Sequence, residues 1–527
     1  MTTEIAPVGG ISESTPLRTI SVSPPPKRPM QLGQILAGLI YALIALFFLT
    51  EMLLKPISGE DAHMQRCMLD GWGSFGECAR AAIQFIPRLG EIYQRQTIWL
   101  YTNLPSLGVG MFLRLFNALI ALAVVWVVFR LAVGRSPRLN IRDALVCLAA
   151  FWFMVMTPMN QVIFNGFSQV NNYLPLTLAY VFTIYAIAEF DRLVARFGRI
   201  PALLLLAFSV FCASAGVETG VPVMLFVIIA AWLVTARLNR NRIALSTSLG
   251  TEINSPQAVT STSPLALTAA SAPGRSLLSG GKWFAALLGW LLGGVYFFVI
   301  GDGLGIILRR TDTGYRGAAD LRGGSLASLV LELAFNAARN LVFFLPFIFL
   351  AVVAVALLWH PKGNSEPWSK PTGVLFSLIA AILYILSLSP LPDILDRVGA
   401  PALGLLLVPV CALLHQALHR IPKHSSGILV LGVLSTLLAA AMFIDNIVTL
   451  NQRLAVTRTA FSQITEIQCV DRQIVNNFSA EIWPTSPLFG FDRYEHSFSF
   501  IFSSWYGDNL HVNLLPIPIM DECPPYN

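Results

Sequence analysis

Charge is scarce in this chain. Only 12% of its 527 residues are Asp, Glu, Lys or Arg, where soluble domains carry about a quarter. With 55% hydrophobic residues and a mean hydropathy of +0.66, a soluble globular fold is excluded. Short alternating segments, the mark of a transmembrane β-barrel, are also lacking. The apolar runs are solid blocks, several reaching the roughly 20 residues that cross a bilayer core as a helix. There is no Gly-rich phosphate loop ending in Lys-Ser/Thr and no His-Glu-x-x-His, which argues against an ATP-driven pump and a zinc protease. No inverted internal repeat of the transporter kind is visible. The net charge of +6 is modest. In a membrane chain it reflects loop topology and gives no reason to expect a nucleic-acid partner.

What remains is an all-α polytopic membrane protein. Residues 1–31 are polar, with Pro24-Pro25-Pro26, and read as a disordered cytoplasmic tail, not a cleavable signal. Apolar length and breakers place spans at Leu32–Leu54, Leu107–Val133, Ala144–Pro158, Asn172–Phe190, Ile200–Ala215 and Val221–Ala236. Further spans fall at Trp283–Ile300, Leu341–Trp359, Gly373–Leu388, Ala400–Leu414 and Gly427–Leu450. This is about 11 transmembrane helices within a domain over 32–450. Residues 237–282, rich in Ser, Thr, Ala and Pro, read as a flexible cytoplasmic loop.

Clustered Lys and Arg in the connections Arg130–Arg142, Asp191–Arg199, Arg237–Lys282, His360–Pro371 and His415–His424 place those segments and the N-terminus inside. The loops 55–106 and 301–328 and the tail 451–527 then lie outside. The seven cysteines accord with this, because none falls in a cytoplasmic connection. Cys67 and Cys78 share the first outer loop, and Cys469 and Cys523 the outer tail, so disulfides Cys67–Cys78 and Cys469–Cys523 are expected.

Polar chemistry gathers on the outer side. Glu60 and Asp61 follow the first span directly. A carboxylate there can act as a general base on an acceptor hydroxyl, or hold a divalent cation such as Mg or Mn against a leaving phosphate. The run Glu77–Gln94 has a helical apolar pattern with arginines, divided at Pro87, and reads as an amphipathic juxtamembrane helix on the outer leaflet. Asn160, Asn165, Gln169, Asn171 and Asn172 crowd the next outer loop beside Tyr173, a combination suited to sugar binding or, at Asn171 and Asn172, to helix capping. Glu218 stands at a tight outer turn between apolar spans. Arg309, Arg310 and Arg316 can grip a phosphate or diphosphate.

An inside N-terminus, a first span, an outer loop with an early acidic pair and a juxtamembrane helix together resemble the GT-C superfamily of membrane glycosyltransferases. The likeness rests on Glu60-Asp61, the 165–173 loop and Glu218, and on the tail element Trp505-Tyr506-Gly507 that resembles a poorly characterised bacterial branch. The resemblance implies sugar transfer from a polyprenyl-phosphate lipid donor to a cell-envelope glycan or lipid acceptor, at the outer face of a bacterial inner membrane. It implies Asp61, or Glu60 beside it, as the catalytic carboxylate, with outer-loop arginines on the donor phosphate. The outer C-terminal segment is small beside the soluble domain of better-known members. Two alternatives stand beside this reading: an O-antigen-type glycan polymerase or ligase, and a non-enzymatic transporter or flippase of lipid-linked glycans.

Overall fold

In hydrocarbon no water is available to peptide groups, so each N–H must find a carbonyl within its own segment, and apolar runs fold as helices. The computed structural model describes residues 32–54, 75–85, 88–103, 107–157, 167–217, 219–253, 274–301, 326–359, 371–389, 399–422 and 426–466, and the short pieces 470–471, 511–512, 515–516 and 519–520. Over these the chain is a helical bundle. The helices are α1 Leu32–Leu54, α2 Phe75–Phe85, α3 Leu89–Asn103, α4 Leu107–Val133, α5 Ile141–Met156, α6 Phe167–Ala188 and α7 Phe190–Phe197. They continue with α8 Arg199–Ala215, α9 Gly220–Ile253, α10 Gly274–Gly294, α11 Leu326–Trp359, α12 Pro371–Ser387, α13 Ala400–Arg420 and α14 Ser426–Glu466. A π-turn over Val295–Ile300 closes α10, where Gly301 N–H donates to the Tyr296 carbonyl. In the tail the described pairings are two residues long: Val470–Asp471 runs parallel to Ile519–Met520, and His511–Val512 antiparallel to Leu515–Pro516.

Among the described residues, seven helices are long and apolar enough to cross a bilayer, or up to eight if α6 and α7, bent by 85° at their break, form one span. Each of the eleven expected spans coincides with a helix, but the expected count is not reached on length and composition. The shortfall comes from α5, with 16 residues, and from α8 and α12, with 17 each. At 1.5 Å per residue these reach about 24–26 Å, against a hydrocarbon core of about 30 Å. The loop expected over 237–282 is also narrower than its composition suggests. Helix α9 runs on to Ile253 and α10 begins at Gly274.

The core is organised around α13, which packs against α4, α5, α6, α11 and α12. Its N-terminal two-thirds, from Ala400 to Ala412, is buried almost without interruption. Gly404 lets it approach α6, where an added Cβ would meet Thr177 and Val181 at 3.0 and 3.2 Å. Aromatic pairs lock other seams: Phe47 and Phe48 of α1 meet Phe151 of α5 edge-on, Tyr180 of α6 meets Tyr384 of α12 at 4.9 Å, and Phe153 of α5 meets Phe347 of α11. Outward faces are apolar, with Ile200, Phe208, Phe284 and Leu331 all more than 60% exposed, as lipid contact requires.

Among the described residues, the buried charged and amide side chains divide between two ends. The near end, where α1 begins, holds the 134–143 connection and the last turns of α13. The far end, where α1 stops, holds α3 and the first turns of α4 and α6.

Candidate functional site

At the far end, α1 stops at Leu54, just before the segment bearing Glu60 and Asp61. Its last turn is tied down by Arg114 of α4, which donates to the carbonyls of Met52 at 2.8 Å and Leu53 at 3.1 Å. These carbonyls have no partner inside the helix, so a buried guanidinium both caps α1 and meets its negative dipole end. Glu51, 6% exposed, lies in the same turn. One root of the acidic loop is thereby fixed to α4.

The other root leads into α2 and α3. The sequence reads Glu77–Gln94 as amphipathic and lying on the outer leaflet. The structure divides it near Pro87, as expected, but turns the polar side of α3 into the bundle. Gln94, Arg95, Gln96 and Thr97 are all buried. Gly90 allows this, since any Cβ there would collide with the side chain and backbone carbonyl of Asn172. With α3 seated on α6, Arg95 pairs with Glu91 one turn earlier at 3.0 Å, and both side chains are less than a tenth exposed. Asn172 donates through Nδ2 to the other Glu91 oxygen at 3.4 Å. Next to it, Asn117 of α4 donates to Asn171 Oδ1 at 2.5 Å and accepts from the Tyr93 hydroxyl at 3.2 Å. Burial pushes the Tyr93 phenol up to about 12, so it keeps its proton to donate.

This layer is incompletely satisfied among the described residues. Gln94 Oε1, Asn171 Nδ2 and Asn172 Oδ1 are buried without a hydrogen-bond partner. Helix α11 brings a similar set to the same end. Phe347 meets Phe153 in the far half of α5, and Asn336, Arg339 and Asn340 lie about two turns beyond Phe347. Asn340 is fully buried with neither amide atom partnered, and Arg339 leaves Nε and Nη2 unmet. Each buried, unmet polar atom costs about 1–3 kcal/mol, so a collection at one end calls for an occupant.

Of the residues picked from sequence, Asn171, Asn172, Tyr173 and Cys78 lie in the described part. Asn171 and Asn172 join the polar layer, and Tyr173 is buried against the apolar core. Cys78 is buried and its Sγ lies 4.0 Å from the Arg95 carbonyl, as a thiol donor. No disulfide occurs among the described residues, and Cys67, the expected partner of Cys78, lies outside them. Glu60, Asp61, Cys67, Asn165, Glu218, Arg309, Arg310, Arg316, Cys469 and Cys523 lie outside the described residues. Among the described residues no group of three or more His, Cys, Asp or Glu side chains is placed to hold a metal. Sequence reading passed over Glu91, Asn117 and Arg114. The Glu-x-x-x-Arg spacing in α3 was the available signal, because it sets both charges on one face.

The near end carries the second polar group. Asp143 stands in the first turn of α5, ahead of its apolar stretch, and is fully buried. Arg135 grips it with two nitrogens, at 2.5 and 2.9 Å, and Arg138 N–H donates to it at 2.9 Å. His415 of α13 approaches to 3.7 Å. Burial alone would raise the carboxyl pKa, but His415, the Arg135 fork and the Arg138 N–H outweigh it and hold the group well below the usual carboxylate range. Gly134, with φ 77°, ends α4 in the left-handed conformation that starts this connection. Arg192 donates to the Gly134 carbonyl and thereby ties α7 to it. No protein-family profile, no curated protein and no solved structure matches this chain.

Proposed function

We propose that the chain is a membrane glycosyltransferase that moves a sugar from a polyprenyl-phosphate donor to an envelope glycan or lipid acceptor at the far face. One observation supports this most. Buried charged and amide groups with unmet hydrogen bonds gather at the end that bears the Glu60-Asp61 loop, and both roots of that loop are anchored there. In this reading Asp61, with Glu60 as the alternative, takes the proton of the acceptor hydroxyl. That oxygen attacks the sugar's anomeric carbon, the bond to the donor phosphate breaks, and the configuration inverts. Arg309, Arg310 and Arg316 carry the charge of the leaving phosphate, and a divalent cation held by Asp61 would share it. Asn172, whose Nδ2 is given to Glu91 and whose buried Oδ1 faces Gly90, holds α3 in place behind the proposed site. Asn165 and Glu218 are the proposed sugar contacts. The orientation that goes with this reading is a multi-pass bacterial inner-membrane protein with its N-terminus cytoplasmic.

The test is transfer from a polyprenyl-phosphate sugar by the purified full chain. Asp61→Asn or Glu60→Gln, inserted normally, is expected to lower turnover by at least about 100-fold, the usual size of a lost general base. Full activity in both variants would sink the assignment. Loss confined to Arg309, Arg310 and Arg316 variants would favour the glycan polymerase or ligase.

A further inference from the structure

The near end holds a cavity of about 530 Å³ that the proposed transfer chemistry does not use. Its walls are the start of α1, the 135–142 connection, His419 at the end of α13 and the start of α14. Three arginines line it. Arg135 is neutralised by Asp143. Arg142, only 8% exposed, gives one nitrogen to the Ile421 carbonyl at 2.5 Å. Arg138 uses its backbone alone, donating to Asp143 and accepting from the Tyr41 hydroxyl at 3.0 Å. Its guanidinium makes no hydrogen bond or ion pair among the described residues. Among the described residues, two positive charges that line one cavity are therefore left without a counter-ion. The remaining lining is apolar, with Leu32, Leu139, Ile428 and Leu429. It continues onto exposed apolar surface at Ile35 and Leu39 of α1 and Val430 of α14. A soluble anion would have no use for that surface, whereas a lipid needs both halves.

We propose that this cavity holds the phosphate of an anionic lipid head group between Arg138 and Arg142, with the acyl chains along the apolar faces of α1 and α14. The inference does not depend on the transferase reading. It is tested by thermal unfolding of the detergent-purified full chain titrated with phosphatidylglycerol, phosphatidylcholine or inorganic phosphate. Phosphatidylglycerol should raise the midpoint, and neither of the others should. Arg138→Gln should leave the lipid-free midpoint in place and weaken phosphatidylglycerol binding about five-fold, the value of one basic side chain at an anionic lipid. Arg196→Gln, an exposed arginine on α7, should bind as the parent does. Equal shifts from both lipids, or undiminished binding by Arg138→Gln, would overturn the proposal. A shift from inorganic phosphate as large as that from the lipid would overturn the lipid and leave a soluble phosphate site.

Discussion

Glu91 and Arg95 illustrate how a single pair can carry a local fold. Both are buried, and Asn172 adds an amide hydrogen bond to the same Glu91 carboxylate. Glu91→Gln or Arg95→Gln breaks this buried ion pair, and either should cost about 3–5 kcal/mol, seen as a lowered midpoint in detergent, with the double substitution recovering part of the loss. Asp143 behaves similarly at the near end, and its sign with pH is fixed. Its folded pKa is depressed, so the stability it contributes is full above the ordinary carboxylate value of about 4 and drains as pH falls below it. Asp143→Asn should flatten that acid slope and lower stability near neutral pH by about 3 kcal/mol. A variant that keeps the parent's slope in unfolding experiments between pH 5 and 3 would show that other carboxylates carry it. These roles were half legible in the sequence. Asn172 stands out in an amide-rich stretch, but Arg95 reads as a surface charge because a helical pattern shows which residues share a face and not which way that face turns.

Helix ends were the least legible feature, for a physical reason. Apolar length marks where lipid ends, whereas a helix ends where propensity or a breaker stops it. Helix α9 passes Arg237 and continues to Ile253, and α14 passes Leu450 to Glu466, because Arg, Leu, Ala and Gln sustain a helix in water as well as in lipid. The start of α1 and both limits of α4 fell where predicted because polarity and breakers change there together. Between elements the tightest seam is α8 on α10, and it relies on small residues. A Cβ on Gly289 would press on the Ala207 carbonyl, and one on Gly293 would meet Ser214 at 2.6 Å. Small residues that let backbones touch are a main source of helix association in membranes. Gly289→Ala should therefore lower stability by about 1–3 kcal/mol, while Gly280→Ala on the same helix, with nothing within 4 Å, should be neutral or slightly stabilising. Equal midpoints for the two variants would show that the seam can yield.

At the scale of the whole molecule, the division of polar groups between two ends sets a topology test. The connection 134–140 belongs to the near end, and the positive-inside bias predicts a cytoplasmic position for it. Ser136 is exposed there, and Cys78, Cys147 and Cys411 are buried. With Cys67, Cys212, Cys469 and Cys523 replaced by Ser, a Ser136→Cys variant should react with a membrane-impermeant maleimide in inverted vesicles and stay unlabelled in intact cells. The reverse pattern would invert the orientation and move the Glu60-Asp61 loop to the cytoplasm. The central place of α13 also bears on how the protein is made. The helix that fills the middle of the bundle is the thirteenth of the fourteen described helices to leave the ribosome. Its contact from Arg142 to Ile421 joins residues 279 positions apart. Until it arrives, α4, α5 and α6 must wait in the membrane with their inner faces, including Asp143, held by lipid or by insertion machinery. Assembly therefore finishes almost when translation does, and a ribosome stalled before residue 399 would leave a chain that has every early helix and no centre.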